Sequence, residues 1–99
     1  MAKFDVFQGP VGKTLLLDVQ ADLLDVLNTR MVVPLITASE APIPAKRLNP
    51  AFVIAGTEYI MVTQFLASVP SSLLKDPITE MPDRFEEITN ALDMLFQGF

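Results

Sequence analysis

Prolines and glycines interrupt this 99-residue chain so often before Pro82 that short strands, rather than long helices, fit between them. Residues 3–8 read as a brief extended segment, ended by Gly9-Pro10-Val11-Gly12. Residues 14–19 read as a strand whose Leu15-Leu16-Leu17 run is apolar on both faces. Such a run predicts burial inside a sheet or at an interface. Residues 30–36, rich in Val and Ile, are the clearest strand, and Pro34 inside it predicts an edge or a bulge at that end. Residues 37–50 hold Pro42, Pro44 and Pro50 with Lys46 and Arg47 and predict a mobile surface loop. Residues 52–54 and 57–63 flank Ala55-Gly56, a two-residue hairpin connection. Residues 67–70 fit a further short strand or turn, and Lys75-Asp76-Pro77 breaks the chain again.

The last fifth differs in kind. Pro82 suits a first helical turn, and Asp83, Glu86 and Glu87 complement its positive end. Phe85, Ile88, Leu92 and Leu95 recur at i, i+3, i+7 and i+10 on one helix face, and Gly98 stops the helix. The segment 21–28 (ADLLDVLN) stays open: it reads either as two helical turns or as a structured loop carrying exposed leucines. The expectation is one domain spanning 1–99, mainly antiparallel β with a C-terminal helix.

Composition narrows the chemistry. The chain has no His and no Cys, so it has no imidazole base, thiolate nucleophile, disulfide or Cys/His zinc site. No catalytic residue, metal or cofactor is expected. A net charge of −5 argues against binding a phosphate backbone. No run of 18 apolar residues is present, and Met1 to Asp5 lacks the pattern of a secretory signal, so a cytoplasmic location without membrane association is expected. Half of the residues are apolar (51%), with a mean hydropathy of +0.41. One small fold is not expected to hide all of that surface, so a protein interface is.

Two clusters invite functional readings. Asp18, Asp22 and Asp25 resemble a metal or acid–base group, but their spacing matches no ion-binding loop, and a solvated turn is the simpler reading. Arg30 beside Asp18 or Asp25 would be the centre of an RNA-cleaving site; an ordinary Arg–carboxylate pair is again simpler, and the acidic balance counts against RNA. At the C-terminus, Phe96 is offset from the row of Phe85, Ile88, Leu92 and Leu95. Phe96 and Phe99 either fold back into the core or anchor a partner.

The stretch 17–35, LDVQADLLDVLNTRMVVPL, with Tyr59-Ile60-Met61, Ala67-Ser68-Val69-Pro70 and the helix segment Asn90-Ala91-Leu92-Asp93-Met94-Leu95-Phe96, resembles the CcdB family of bacterial toxin–antitoxin systems. The resemblance covers nearly the whole chain. It implies a small SH3-like barrel of two antiparallel sheets with one C-terminal helix, forming a two-fold homodimer. It also implies a non-enzymatic toxin that binds the A subunit of DNA gyrase and traps the enzyme on cleaved DNA. A CcdA-like antitoxin would neutralise it by wrapping a disordered C-terminal segment around the dimer. Two related readings are a barrel toxin that cleaves mRNA and a homologue that has lost gyrase poisoning. Matched position by position, the resemblance assigns the gyrase contact to Leu23, Leu24, Asp93, Phe96, Gln97, Gly98 and Phe99. The chain departs from the best-known pattern in having Gln97 where Trp is usual, Asp93 for Asn, and Phe99 for an aliphatic terminal residue. The antitoxin surface would involve residues 8–14 and 42–47, where the chain diverges most.

Overall fold

The computed structural model describes residues 2–99. Seven strands precede a single α-helix: β1 (Asp5–Gln8), β2 (Leu15–Asp18), β3 (Thr29–Thr37), β4 (Ala51–Ile54), β5 (Thr57–Met61), β6 (Ala67–Pro70), β7 (Thr79–Glu80) and α1 (Phe85–Gln97). All pairings are antiparallel, in the order β4-β5-β3-β2-β1-β7, with β6 also on β3. The nine residues of β3 explain why there is one continuous sheet where the family resemblance implies two. On one edge β3 meets β2, from Leu15↔Leu35 to Asp18↔Val32. On the other it serves two partners in turn, β5 through residues 35–37 and β6 through residues 29–32.

Pro34 therefore lies inside a central strand, not at an edge. Its carbonyl accepts the Val62 N–H at 3.0 Å, just where the neighbouring chain leaves β5 for the 3-10 turn Thr63–Phe65. The N–H that proline lacks would point to this same side. The ladder is already interrupted there, so the missing donor costs little.

Alternation on β1 and β2 builds two cores. Val6, Leu15 and Leu17 join Val33, Leu35, Phe52, Ile54 and Met61 on the face that packs against Ile88 and Ala91 of α1. Phe7 and Leu16 face the opposite way, with Val32 and Leu74. The three consecutive leucines are thus buried on both faces of the sheet, as their run predicts.

Along α1 the buried stripe is Ile88 and Ala91, with Leu92 packed partly against it. Phe85, expected in this row, is 57% exposed. The 3-10 turn Pro82–Arg84 precedes the helix, so Pro82 opens that turn and Phe85 starts α1 before it meets the sheet. Arg84 fixes the entry: its guanidinium stacks 4.6 Å from the Phe52 ring centroid and donates to Glu87 at 2.7 Å. Gly98 ends the helix in the left-handed region (φ 82°), its N–H bonded to the Met94 carbonyl.

Residues 38–50 form no strand or helix, as expected of a loop, but the far end is pinned. The buried Asn49 side chain donates to the Met61 carbonyl (3.1 Å) and to Gln64 (2.8 Å) and accepts from the Ala45 N–H (2.9 Å). β7 is an element that the residue pattern does not announce. Two residues long, it exists because Asp5 and Val6 of β1 offer it an edge.

At the β4–β5 hairpin both turn residues have positive φ, 51° at Ala55 and 81° at Gly56, the combination of a type I′ turn. Left-handed backbone costs an alanine roughly 1 kcal/mol, whereas asparagine tolerates it. Ala55→Asn is expected to stabilise the protein by about 0.5–1 kcal/mol. That corresponds to a melting point raised by about 2–8 °C, measurable by circular dichroism.

Candidate functional site

The open segment 21–28 resolves as a loop. It makes one 3-10 turn, Asp22–Leu24, and every residue from Ala21 to Thr29 is exposed. Leu23 is 89% and Val26 91% exposed, with Leu24 and Leu27 about half exposed. Large aliphatic side chains are rarely placed so openly on a short loop unless a partner covers them.

With no side chain in the core, the loop is held by polar contacts. Arg30 at the start of β3 is 1% exposed and donates twice to Asp18 Oδ2, from Nε at 2.9 Å and Nη2 at 2.6 Å. Its Nη1 reaches Asp25 in the loop at 2.9 Å. Asp18 itself is fully buried, and its other carboxylate oxygen accepts the Gln20 N–H at 3.0 Å. Burial pushes the Asp18 carboxyl above the usual carboxylate range, against the opposing pull of its bonds to Arg30 and the Gln20 N–H.

These contacts decide between the readings of the two charged clusters. Each aspartate has a structural partner. Asp18 and Asp25 pair with Arg30, and Asp22 accepts the Lys3 N–H at 2.8 Å. Among the described residues, no group of three or more acidic, His or Cys side chains is placed to hold a metal. Arg30, the centre of the RNA-cleaving reading, is buried between two carboxylates and offers no charge to a phosphodiester. Arg30 forms the ordinary pairing with carboxylates, to Asp18 and Asp25.

The C-terminal residues present a second exposed apolar set. Phe96 is 68% and Phe99 71% exposed, so neither folds back into the core. Asp93 is half-buried, and Gln97, one turn on, makes a long 3.4 Å contact to it from the exposed surface. The two sets meet. An apolar groove of about 240 Å³ is lined by Val19, Leu24, Met31, Leu66, Leu92 and Phe96, with Gln20 and Ala21 at its loop end. Leu24 and Phe96, 72 positions apart in the chain, thus share one surface. Leu23, Gln97, Gly98 and Phe99 do not line this groove.

The groove's floor is not legible in the residue pattern. Val19, Met31, Leu66 and Leu92 come from four separate segments: the Val19 N–H bonds to the Met31 carbonyl, the pairing of β6 with β3 brings in Leu66, and α1 supplies Leu92. Val26 and Leu27 do carry a signal, since they extend the apolar pattern of Leu23 and Leu24.

No helix among the described residues is long and apolar enough to cross a membrane. A family model described as "CcdB protein" matches residues 3–98, nearly the full chain.

Proposed function

The chain belongs to the CcdB family of toxin–antitoxin toxins, and from that membership we infer that it is a non-enzymatic toxin acting on the A subunit of DNA gyrase. In this reading it docks as a two-fold homodimer and traps gyrase on cleaved DNA, and a CcdA-like antitoxin relieves it. The observation that carries the reading is the pairing of two exposed apolar sets, the leucine loop and the helix end, across one groove. Leu23 and Leu24 are the loop anchors. Asp93, Phe96, Gln97, Gly98 and Phe99 form the terminal contact.

Gln97 stands where the family pattern has a tryptophan. An aromatic anchor typically supplies about 2 kcal/mol or more of an interface. Phe96 and Phe99 lie on either side of Gln97 in the chain and are both well over half exposed, so they offer aromatic area near that position. The apolar surplus of the composition leaves surface for an isologous interface with a second copy.

Leu23→Asp tests the docking reading with little risk to the fold, because Leu23 is 89% exposed. It is expected to weaken binding to the breakage–reunion domain of gyrase A by about 30-fold or more, the equivalent of about 2 kcal/mol. Unchanged cleavage-complex formation by the variant would reject Leu23 as an anchor.

A further inference from the structure

We propose that Gln20 is a positioning residue that presets the leucine loop for docking. The proposal rests on the reading of Leu23 and Leu24 as the gyrase contact. The Gln20 side chain is almost fully buried, at 6% exposure, and its carboxamide bonds to the middle of the loop and to the start of β3 just beyond it. Nε2 donates to the Leu24 carbonyl and to the Thr29 carbonyl, each at 3.1 Å. Oε1 accepts the Met31 N–H at 3.0 Å. Two carbonyls and one N–H allow a single orientation of the amide, so chemistry fixes which end is nitrogen.

A glutamine side chain is one of few that can do this. Glutamate keeps the acceptor for Met31 but turns a second oxygen toward the Leu24 and Thr29 carbonyls. Methionine has similar length and makes none of the three bonds. Asparagine is one methylene too short. Asp25 contributes a second tether through Arg30, but Arg30 also neutralises the buried Asp18, so its removal reaches the core.

The loop has no buried side chain of its own, so its order rests on a few polar tethers: Gln20, Asp25 to Arg30, Asp22 to the Lys3 N–H, and Ser71 to the Asn28 carbonyl; of these, Gln20 holds the Leu24 carbonyl. A docking loop that must be ordered on contact binds more weakly than one already in shape, because the ordering cost is then met by the binding step. Gln20 touches no partner in this scheme; it sets where Leu23 and Leu24 stand.

The test uses Gln20→Glu and Gln20→Met in the full chain, with Leu23→Ala and Leu24→Ala as the controls for the contact itself. Amide exchange in the free protein reads loop order through the Leu24, Asp25 and Leu27 N–H groups, which bond to Ala21, Asp22 and Leu24 carbonyls. Both Gln20 variants are expected to exchange these three amides at least tenfold faster, while Leu17, Val33 and Leu35 in the sheet keep their rates. A merely structural role would speed sheet and loop together. Affinity for the purified breakage–reunion domain of gyrase A is expected to fall at least tenfold in both variants and in Leu23→Ala.

Weak binding by Leu23→Ala with full binding by the Gln20 variants, or with unaltered loop exchange, overturns the positioning role and leaves the leucine contact standing. Full binding by Leu23→Ala and by Leu24→Ala removes the contact and overturns the positioning role with it. Unfolding of both Gln20 variants assigns the residue to the fold and also overturns the proposal.

Discussion

A chain ending at Phe96 is expected to fold and to lose its toxicity. Residues 97–99 are all exposed, and their removal breaks the Gly98 N–H bond to the Met94 carbonyl at 3.1 Å, the long Gln97–Asp93 contact and the helical bonding of Gln97, the last residue of α1. The buried helix residues, Ile88 and Ala91, lie at least five positions upstream and keep their packing. Loss of a helix cap costs about 1 kcal/mol, a fall in melting point of about 4–8 °C for a domain of this size. Loss of Phe99 instead removes an exposed aromatic anchor. Binding to gyrase is expected to fall by about 30-fold or more, from about 2 kcal/mol of interface energy. Growth after induction, beside a circular dichroism melt of the purified variant, separates the two effects. Toxicity undiminished in a folded, truncated chain would mean that the helix end is not part of the contact.

The largest stability effect is expected at Arg30. Removing one partner of a buried ion pair leaves the other charge uncompensated, and Arg30→Met leaves Asp18 fully buried without its cation. The expected loss is about 3–5 kcal/mol. A domain of this kind has only about 5–15 kcal/mol in total, so the variant should unfold at a much lower denaturant concentration.

The sign of the pH dependence follows from Asp18. Its carboxyl is already raised by burial in the presence of Arg30, and removing Arg30 takes away the leading opposing influence. A carboxyl with a higher pKa folded than unfolded binds its proton more tightly in the native state. Acidification through that folded pKa therefore stabilises the fold, and the contribution is lost again as pH rises. The gap between Arg30→Met and the parent chain should narrow from about pH 7 toward about pH 4. Adding Asp18→Asn to Arg30→Met should recover part of the loss at neutral pH, since no buried charge then remains. A gap that widens on acidification would contradict the role assigned to Asp18.

Much of the fold is legible because local pattern and tertiary placement agree. The Leu15-Leu16-Leu17 run predicts burial on both faces, and the sheet has a core on each. Ala55-Gly56 forms its hairpin turn, and Gly98 closes the helix. The misreadings share one cause: a residue pattern does not say who the neighbour is. Pro34 is tolerated in a central strand because the adjacent chain changes partner beside it. Phe85 has the right spacing for the buried row but precedes the point where α1 reaches the sheet.

The site divides in the same way. The exposure of Leu23 and Phe96 is readable in advance, one as an alternative for its loop and one from its helical offset. The Gln20 bonds are not, because a side chain bonding to backbone groups 4, 9 and 11 residues away leaves no periodic trace.

In the proposed function, exposed apolar residues of the loop and helix end dock this protein onto gyrase. Equilibrium binding of the purified protein to the isolated breakage–reunion domain of gyrase A measures this most directly, with Leu23→Asp run alongside. A complex at micromolar concentration or below that Leu23→Asp abolishes is the predicted result. No complex at that concentration, or one that Leu23→Asp leaves intact, would contradict it.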